Sequence, residues 1–274
     1  MKYADLHIHS SYSDGYLSPE EIIDLAKKQG VKYISITDHD TIASQYITKK
    51  NIEGISIIPG IEFSTEYKDM ELHILGYFID IDNDRLNETV NRLRKSRIDR
   101  AKEILKRLEK NNIHIDINEV KVSDLSSIGR GNIAKIIVEK GYADNYKEAF
   151  TNYLMKGKSA YVKGEKLSLK ETLSIINECG GIPVLAHPGK IYRRLEVENL
   201  IKEFRCYGLK GIEVYHPSHS RDQINNFYNL SKKYKLLITG GSDFHGSSNA
   251  ELSLASQGIS ESLLNKVIKY KRNL

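Results

Sequence analysis

The amino-acid sequence predicts an α/β protein in which parallel strands form a closed barrel and a small helical insert interrupts that barrel. Three observations support this fold class. Short β-branched segments alternate with amphipathic helical segments over most of the 274 residues. About seven segments have strand character, and most of them end in a polar or ionisable residue, as in barrels with an active site at the carboxyl ends of their strands. An open, doubly wound sheet is the alternative, but it would gather such residues mainly at one switch point.

The first predicted strand comprises residues 3–10. Side chains alternate along a strand, so Asp5, His7 and His9 lie on one face while the residues between them lie on the other. Two imidazoles placed in this way can converge on one cation, and we expect Asp5 to orient the ring of His7. The His-x-His pattern alone is also compatible with a histidine pair that is packed for structural reasons.

Helix starts separate the strands. Ser18 and Glu21, with a proline between them, have the pattern of a capping box, and this helix is expected to end at Gly30. A second capping box is predicted at Ser168 and Glu171. The sequence therefore returns to β/α alternation after its middle region.

The later strand segments repeat the arrangement of the first. They are residues 31–37, 54–64, 71–76, 182–186, 211–215 and 236–241. Each contains or leads into ligand-type residues, which are Asp38-His39-Asp40, Glu62, Glu71 with His73, His187, His216 with His219, and Asp243 with His245. We expect these residues to meet at one end of the barrel.

The middle of the chain has a different texture. Apolar residues recur at helical spacing from Asp84 to Lys110, and no convincing strand run occurs in residues 97–160. We predict that residues 1–96 and 161–274 form the barrel domain and that residues 97–160 form a helical insert that caps it.

Composition limits the cellular setting and the partners. No apolar run approaches the ~20 residues that span a membrane, and two cysteines without paired spacing argue against a disulfide framework, so we expect a cytoplasmic protein. The formal net charge is +5, and lysine and arginine cluster at residues 92–107 and 156–170. These clusters either attract a polyanion, such as nucleic acid or a phosphorylated metabolite, or are simply solvated helix faces.

The distribution of histidine is the strongest functional signal. Seven of the nine histidines lie at or just beyond strand ends, whereas His114 lies in the helical region and is expected to be structural. Together with Asp14, Glu62 and Asp243 they offer the imidazole and carboxylate ligands that Zn, Mn and Fe accept. Because one ion takes about four protein ligands, the sequence predicts two or three divalent ions with a bridging carboxylate.

These residues resemble the motifs of the PHP family, named for polymerase and histidinol phosphatase. The matching segments are Asp5-Leu6-His7-Ile8-His9-Ser10, Thr37-Asp38-His39-Asp40, Ala186-His187-Pro188 and Ser242-Asp243-Phe244-His245, with Glu62 and His73 between the second and third. The resemblance implies the family's distorted (β/α)7 barrel and nine metal ligands. It assigns one ion to His7, His9, Glu62 and Asp243, a second to Glu62, His73 and His187, and a third to Asp14, His39 and His245.

The activity implied by this resemblance is metal-dependent hydrolysis of a phosphate ester by activated water, without a side-chain nucleophile. His216 or His219 would position the phosphate or protonate the leaving alkoxide. The alternative for His216 is that the His-Pro pair only shapes a turn.

The insert resembles that of a subfamily that acts on 3′,5′-nucleoside bisphosphates and 5′-phosphorylated RNA or DNA. By this resemblance Arg130 and Lys158 bind substrate phosphates, although Gly131-Asn132 departs from the commoner Pro-His after the arginine. The expected substrate is thus a phosphorylated nucleotide or short oligonucleotide, with no obligate protein partner. The alternatives are a histidinol-phosphatase-like enzyme, an amidohydrolase with a bridging lysine, and a non-catalytic PHP module.

Overall fold

The structure is a computed structural model, and it describes residues 3–48, 52–120, 123, 125–191, 197–246 and 253–274. The strands are β1 (Ala4–Ile8), β2 (Tyr33–Ile36), β3 (Ser56–Ile57), β4 (Gly60–Tyr67), β5 (Met70–Tyr77), β6 (Leu167–Ser168), β7 (Ile182–Leu185), β8 (Gly211–Tyr215) and β9 (Leu237–Gly240). The first six α-helices are α1 (Pro19–Lys28), α2 (Ala43–Thr48), α3 (Asp84–Glu109), α4 (Ile117–Val120), α5 (Arg130–Glu139) and α6 (Tyr146–Ala149). The others are α7 (Leu169–Glu178), α8 (Val197–Cys206), α9 (Arg221–Lys233) and α10 (Glu261–Arg272).

The predicted α/β class is confirmed, and most strand pairs are parallel. The strands form two sheets, one ordered β1-β2-β3 and the other β6-β4-β5-β7-β8-β9. Single parallel bridges join the sheets at both sides, between Ile8 and Phe244 and between His39 and Glu62. A continuous closed barrel sheet, as predicted from the sequence, is not found in the described parts of the chain.

The expectation that every strand is parallel is wrong for β5. This strand runs antiparallel to β4 and to β7. Lys68 and Asp69 form a two-residue turn with φ angles of 48° and 61°, which is the left-handed backbone typical of tight hairpins. So short a loop can only reverse the chain, because a parallel connection needs about a dozen residues.

Helix α3 packs into two different apolar clusters along its length. Its first half packs through Leu86, Val90 and Leu93 into the core beneath the larger sheet. Its second half packs into a separate apolar cluster that also contains Ile133 and Leu154. The predicted insert boundary at residue 97 therefore falls inside one continuous helix of 26 residues.

Helix caps hold the site-bearing loops in register. The predicted capping box at Ser18 and Glu21 is confirmed by hydrogen bonds in both directions. At Ser168 only half of the predicted box forms. The hydroxyl of Ser168 accepts from the backbone N–H of Glu171, while the carboxylate of Glu171 pairs with Arg92 at 3.0 Å.

No helix in the described residues combines the length and apolar character needed to cross a bilayer.

Candidate metal centre

The candidate centre lies where several strands end. His7 belongs to β1 and Glu62 and His73 to β4 and β5, whereas the other predicted ligands follow strand ends: His9, Asp14, His39, His187, Asp243 and His245. His187 and Asp243 have positive φ angles of 22° and 51°. Such backbone is strained for side chains other than glycine and is found mainly at functional sites. The structure brings all nine predicted ligands together.

One group of ligand atoms lies at the end of β1. The Nε2 atoms of His7 and His9 are 3.1 Å apart. Asp243 Oδ1 lies 3.5 Å and 3.3 Å from these two atoms, and Glu62 Oε2 lies 3.4 Å and 3.2 Å from them. These four side chains enclose a space that one cation would fill.

Glu62 lies at the centre of the whole cluster. Its Oε1 atom lies 2.9 Å from His73 Nδ1 and 3.1 Å from His187 Nε2. Its Oε2 atom faces His39 Nδ1 at 3.0 Å as well as the imidazoles at the end of β1. The two oxygens therefore face different groups of imidazoles, which is the geometry that a bridging carboxylate requires.

A further group forms around Asp14. Asp14 Oδ1 lies 3.2 Å from His245 Nε2 and 3.7 Å from His9 Nδ1, and its Oδ2 lies 3.9 Å from His39 Nε2. His245 Nδ1 faces the backbone carbonyl of Asp243 at 2.8 Å. That contact fixes the tautomer and leaves Nε2 free to bind a cation.

The chemistry of the unpaired atoms fits a metal. His9 Nδ1, His39 Nδ1 and Glu62 Oε2 are buried and have no hydrogen-bond partner within the described residues. Buried polar atoms are normally paired, and unpaired imidazole and carboxylate lone pairs that converge are metal ligands by type. The donor set suits Zn, Mn or Fe.

The carboxylates of the cluster raise the pKa of two of its histidines, His9 and His73. Burial alone lowers the pKa of His9, but Asp243 and Glu62 outweigh it and raise the pKa to about 10. At His73 burial likewise lowers the pKa and Glu62 raises it, and the net result is a pKa of about 9. At His39 burial dominates and lowers the pKa to about 3. A cation must therefore displace protons from His9 and His73.

Glu213 orients the ring of His7, and the prediction that Asp5 does so is wrong. Glu213 Oε1 lies 2.9 Å from His7 Nδ1, and its Oε2 accepts from the backbone N–H of His187 at 2.7 Å. Asp5 instead accepts from the N–H of Ser242 and from its hydroxyl. The sequence did contain a signal for Glu213, because a glutamate stood alone within a buried apolar strand.

The structure distinguishes the two histidines that follow β8. His216 Nε2 lies 3.2 Å from Asp243 Oδ2, and its Nδ1 accepts from the N–H of Ser218. Both ring nitrogens of His219 have backbone partners: Nδ1 faces the carbonyl of Val214 at 2.9 Å, and Nε2 accepts from Gly189 N at 3.1 Å. Only His216 contacts the predicted ligands.

Lys190 was not singled out from the sequence. It lies in a 3₁₀ turn (Pro188–Lys190) directly after His187, and its Nζ is 2.6 Å from Asp243 Oδ2. Its ammonium lies at the same carboxylate oxygen that His216 faces.

The two predicted phosphate-binding residues lie in different surroundings. Arg130 begins α5, with its guanidinium 5.2 Å from the ring of Phe150 and 5.8 Å from that of Tyr161. Its Nη2 lies 3.7 Å from Glu71 Oε2, and Glu71 lies beside His73. Lys158 is exposed and has no side-chain partner in the described parts of the chain. Arg130 is thus near the cluster, and Lys158 is farther out on the insert.

A family model described as the PHP domain matches residues 5–159. The chain belongs to the PHP family. This confirms the family predicted from its motifs, and the PHP chain is accordingly a hydrolase of the metal-dependent phosphoesterase type.

Curated relatives of this PHP chain match over most of its length. A 5′-3′ exoribonuclease of Haemophilus influenzae is 34% identical over 89% of this chain and 90% of its own. A 3′,5′-nucleoside bisphosphate phosphatase of Chromobacterium violaceum is 32% identical over 89% of this chain and 88% of its own.

Two solved structures share the fold of the PHP chain. One, described as a metal-dependent phosphoesterase of Bifidobacterium adolescentis, superposes with a TM-score of 0.89 at 26% identity, covering 97% of this chain and 95% of its own. The other, described as an amidohydrolase of Chromobacterium violaceum with bound sulfate and no metal, gives 0.87 at 28% identity, covering 98% and 96%. In the present chain the central group is Glu62, and no lysine lies within ion-pair distance of it among the described residues.

Proposed function

We propose that this chain hydrolyses phosphate monoesters of nucleotides, namely 3′,5′-nucleoside bisphosphates or short 5′-phosphorylated oligonucleotides. The observation that carries the proposal is the convergence of nine imidazole and carboxylate side chains around Glu62, with Arg130 on the insert beside them. The names of the exoribonuclease and the bisphosphate phosphatase support this choice of substrate. The bridged sheets are proposed to correspond to the family's distorted (β/α)7 barrel.

We propose two or three divalent ions, Mn, Fe or Zn, held in the groups that the family motifs imply. The ligand atoms of His7, His9 and Asp243 lie close together, as do those of Asp14, His39 and His245, and this supports the first and third sites. The contacts of Glu62 Oε1 with His73 and His187 support the second. When bound, such ions lower the pKa of coordinated water and offset the charge of phosphate oxygens. Glu62 would link two of the ions, because its oxygens face different imidazoles.

We propose that His216 positions the phosphate of the substrate through a hydrogen bond from its Nε2–H. Its Nδ1 accepts from Ser218, so the proton is on Nε2, which faces Asp243 Oδ2 in the site. Both ring nitrogens of His219 are engaged in backbone contacts. These contacts support a role for His219 in positioning the turn at Gly189 and argue against proton transfer by this residue.

Arg130 is proposed to bind a second phosphate of the substrate. Two aromatic rings, those of Phe150 and Tyr161, hold its guanidinium plane. A fixed planar guanidinium can take a phosphate through two parallel hydrogen bonds. A bisphosphate would then have one phosphate among the imidazoles and the other at Arg130.

Release of inorganic phosphate from adenosine 3′,5′-bisphosphate tests the proposal directly. Purified protein with added Mn²⁺ should release phosphate, and His7→Ala should abolish the release. Activity on a small aryl phosphate without activity on the bisphosphate would leave a histidinol-phosphatase-like monoesterase. Inactivity on both would instead favour a non-catalytic PHP module.

Two variants test the assigned roles. Arg130→Ala should weaken hydrolysis of the bisphosphate far more than hydrolysis of the aryl phosphate, and equal losses would contradict phosphate binding. Glu62→Ala should lower the metal content measured by mass spectrometry as well as activity. Full metal occupancy in Glu62→Ala would exclude a bridging role.

A cytoplasmic location is also proposed. Cys179 and Cys206, the two cysteines of the sequence, are both free. Free thiols are typical of proteins in a reducing compartment. Localisation of a fluorescently tagged chain in cells tests this.

A further inference from the structure

The two basic clusters of the sequence lie side by side in the structure. The guanidinium of Arg100 donates through Nε to the carbonyl of Val162 at 3.0 Å. About two turns further along α3, Arg107 Nη1 donates to the carbonyl of Tyr161 at 2.6 Å. The segment after the π-helix (Phe150–Leu154) therefore runs beside α3.

A groove separates the end of α3 from this segment. It has a volume of about 460 Å³ and is lined by Glu103, Lys106, Arg107, Lys110, Asn111 and Ser159. Glu103 is paired with Arg107 at 3.0 Å. Lys106 and Lys110 are exposed and have no carboxylate partner within the described residues. Lys158 borders Ser159, so its exposed ammonium adds to the same charge.

The groove lies at the end of α3 that is farther from the candidate metal centre. Tyr161, whose carbonyl is bound by Arg107, has its ring 5.8 Å from the guanidinium of Arg130. Arg97, ten residues before Arg107 on α3, donates to Asp40, the residue after the predicted ligand His39. This part of α3 therefore lies near the candidate metal centre. The thirteen residue steps from Arg97 to Lys110 correspond to ~20 Å of helix.

We propose that this groove binds the sugar-phosphate backbone of a single-stranded nucleic acid whose 5′-terminal nucleotide lies at the metal centre. The inference rests on the proposed function, since it assigns the part of the chain that binds an oligonucleotide substrate beyond its first nucleotide. A length of ~20 Å accommodates about six phosphates at the 3.4 Å spacing of a stacked strand, and fewer in an extended one. Lys106 and Lys110 repel each other four residues apart on a helix, and a bound polyanion removes that repulsion.

Binding as a function of length and salt tests the groove. Fluorescence anisotropy of 5′-phosphorylated, 3′-labelled RNA and DNA oligonucleotides of two to twelve nucleotides is measured without added metal. We compare the wild-type chain, Lys106→Ala/Lys110→Ala, and a control, Lys266→Ala/Lys269→Ala, which removes two exposed lysines from α10. Wild-type affinity should rise with length and level off at about six nucleotides.

The groove variant and the control variant are expected to differ in affinity and in salt dependence. Lys106→Ala/Lys110→Ala should bind an octamer about tenfold more weakly than the control. Its slope of log K against log salt should also be less negative by about 1.4, because each phosphate contact on a single strand contributes about 0.7. Wild-type affinity and slope in the groove variant, or equal losses in the control, would overturn the proposal.

Hydrolysis of adenosine 3′,5′-bisphosphate by the same proteins separates this inference from the proposed function. If the wild-type chain does not hydrolyse it but binds oligonucleotides in a manner that depends on Lys106 and Lys110, the groove stands and the activity assignment fails. If it hydrolyses the bisphosphate and its affinity does not depend on oligonucleotide length, the groove fails alone.

Discussion

Replacement of Glu213 by glutamine is the sharpest test of how this chain prepares His7 for a metal. Glu213 is fully buried in β8 and accepts at both oxygens. One oxygen faces His7 Nδ1 and the other accepts from the backbone N–H of His187. Glutamine keeps one acceptor and presents an NH₂ group in place of the other, so one of the two donors loses its partner.

The expected loss of metal affinity in Glu213→Gln follows from these two contacts. If the NH₂ group faces His7, the ring must accept at Nδ1 and hold its proton on Nε2, the atom directed at Asp243 and Glu62. That tautomer cannot bind a cation. A hydrogen bond to a charged group is worth about 1.5–3 kcal/mol, and loss of such an orienting partner typically weakens metal binding about 10–100-fold. We therefore expect the dissociation constant for Mn²⁺ to rise by that factor in Glu213→Gln.

The assay is competition for Mn²⁺ against a fluorescent chelator, with thermal melting as a check on folding. The matched control is Glu178→Gln, which removes the charge of an exposed glutamate on α7. The control should bind Mn²⁺ as the wild-type chain does. A folded Glu213→Gln protein whose affinity stays within twofold of wild type would refute the argument that Glu213 sets the tautomer of His7.

Two further predictions concern protons and the connection between insert and barrel. Because the pKa of His9 is raised to about 10 and that of His73 to about 9, metal affinity should fall as the pH drops below about 9. Calorimetry in buffers of different ionisation enthalpy should detect proton release on binding, and affinity that does not change between about pH 6 and 8 would contradict the prediction. Arg97→Met should lower the free energy of unfolding by about 3 kcal/mol, because the buried carboxylate of Asp40 keeps its bond from the N–H of Ser64 but loses its only cationic partner among the described residues. Urea unfolding measures this loss, and Arg85→Met, which breaks an exposed pair, should cost less than about 1 kcal/mol; equal losses in the two variants would contradict the argument.

The fold class could be predicted from the sequence because each strand and helix has its own periodicity. The direction of β5 was also accessible, since the two residues between β4 and β5 leave no length for a parallel connection. The boundary of the insert was not accessible in the same way. Helical periodicity in α3 continues across residue 97, and it shows which face is apolar without showing that the packing partner changes.

Ligand type could be predicted from the sequence, but contacts between particular atoms could not. A histidine at a strand end is visible as a letter and a spacing, and all nine predicted ligands do converge. Both ring nitrogens of His219 are engaged because Val214 of β8 and Gly189, in the turn after β7, supply backbone partners. The separation of His216 from His219 therefore required the structure.

Two aspartates of the family motifs, Asp38 and Asp5, accept hydrogen bonds from serines and not from imidazole rings. Asp38, after β2, accepts from the N–H and the hydroxyl of Ser10 in the loop after β1. Asp5, on β1, accepts from Ser242 in the loop after β9.

Glu213 continues this arrangement, because it lies on β8 and accepts from the N–H of His187 after β7. Each of these carboxylates is buried and fixes the ligand-bearing loop of a neighbouring strand. The loops are thus held from strand to strand around the site, and these hydrogen bonds fix the backbone that carries the ligands. Such support of ligand positions is the structural reason for Asp5 and Asp38 beside histidines whose rings they do not contact.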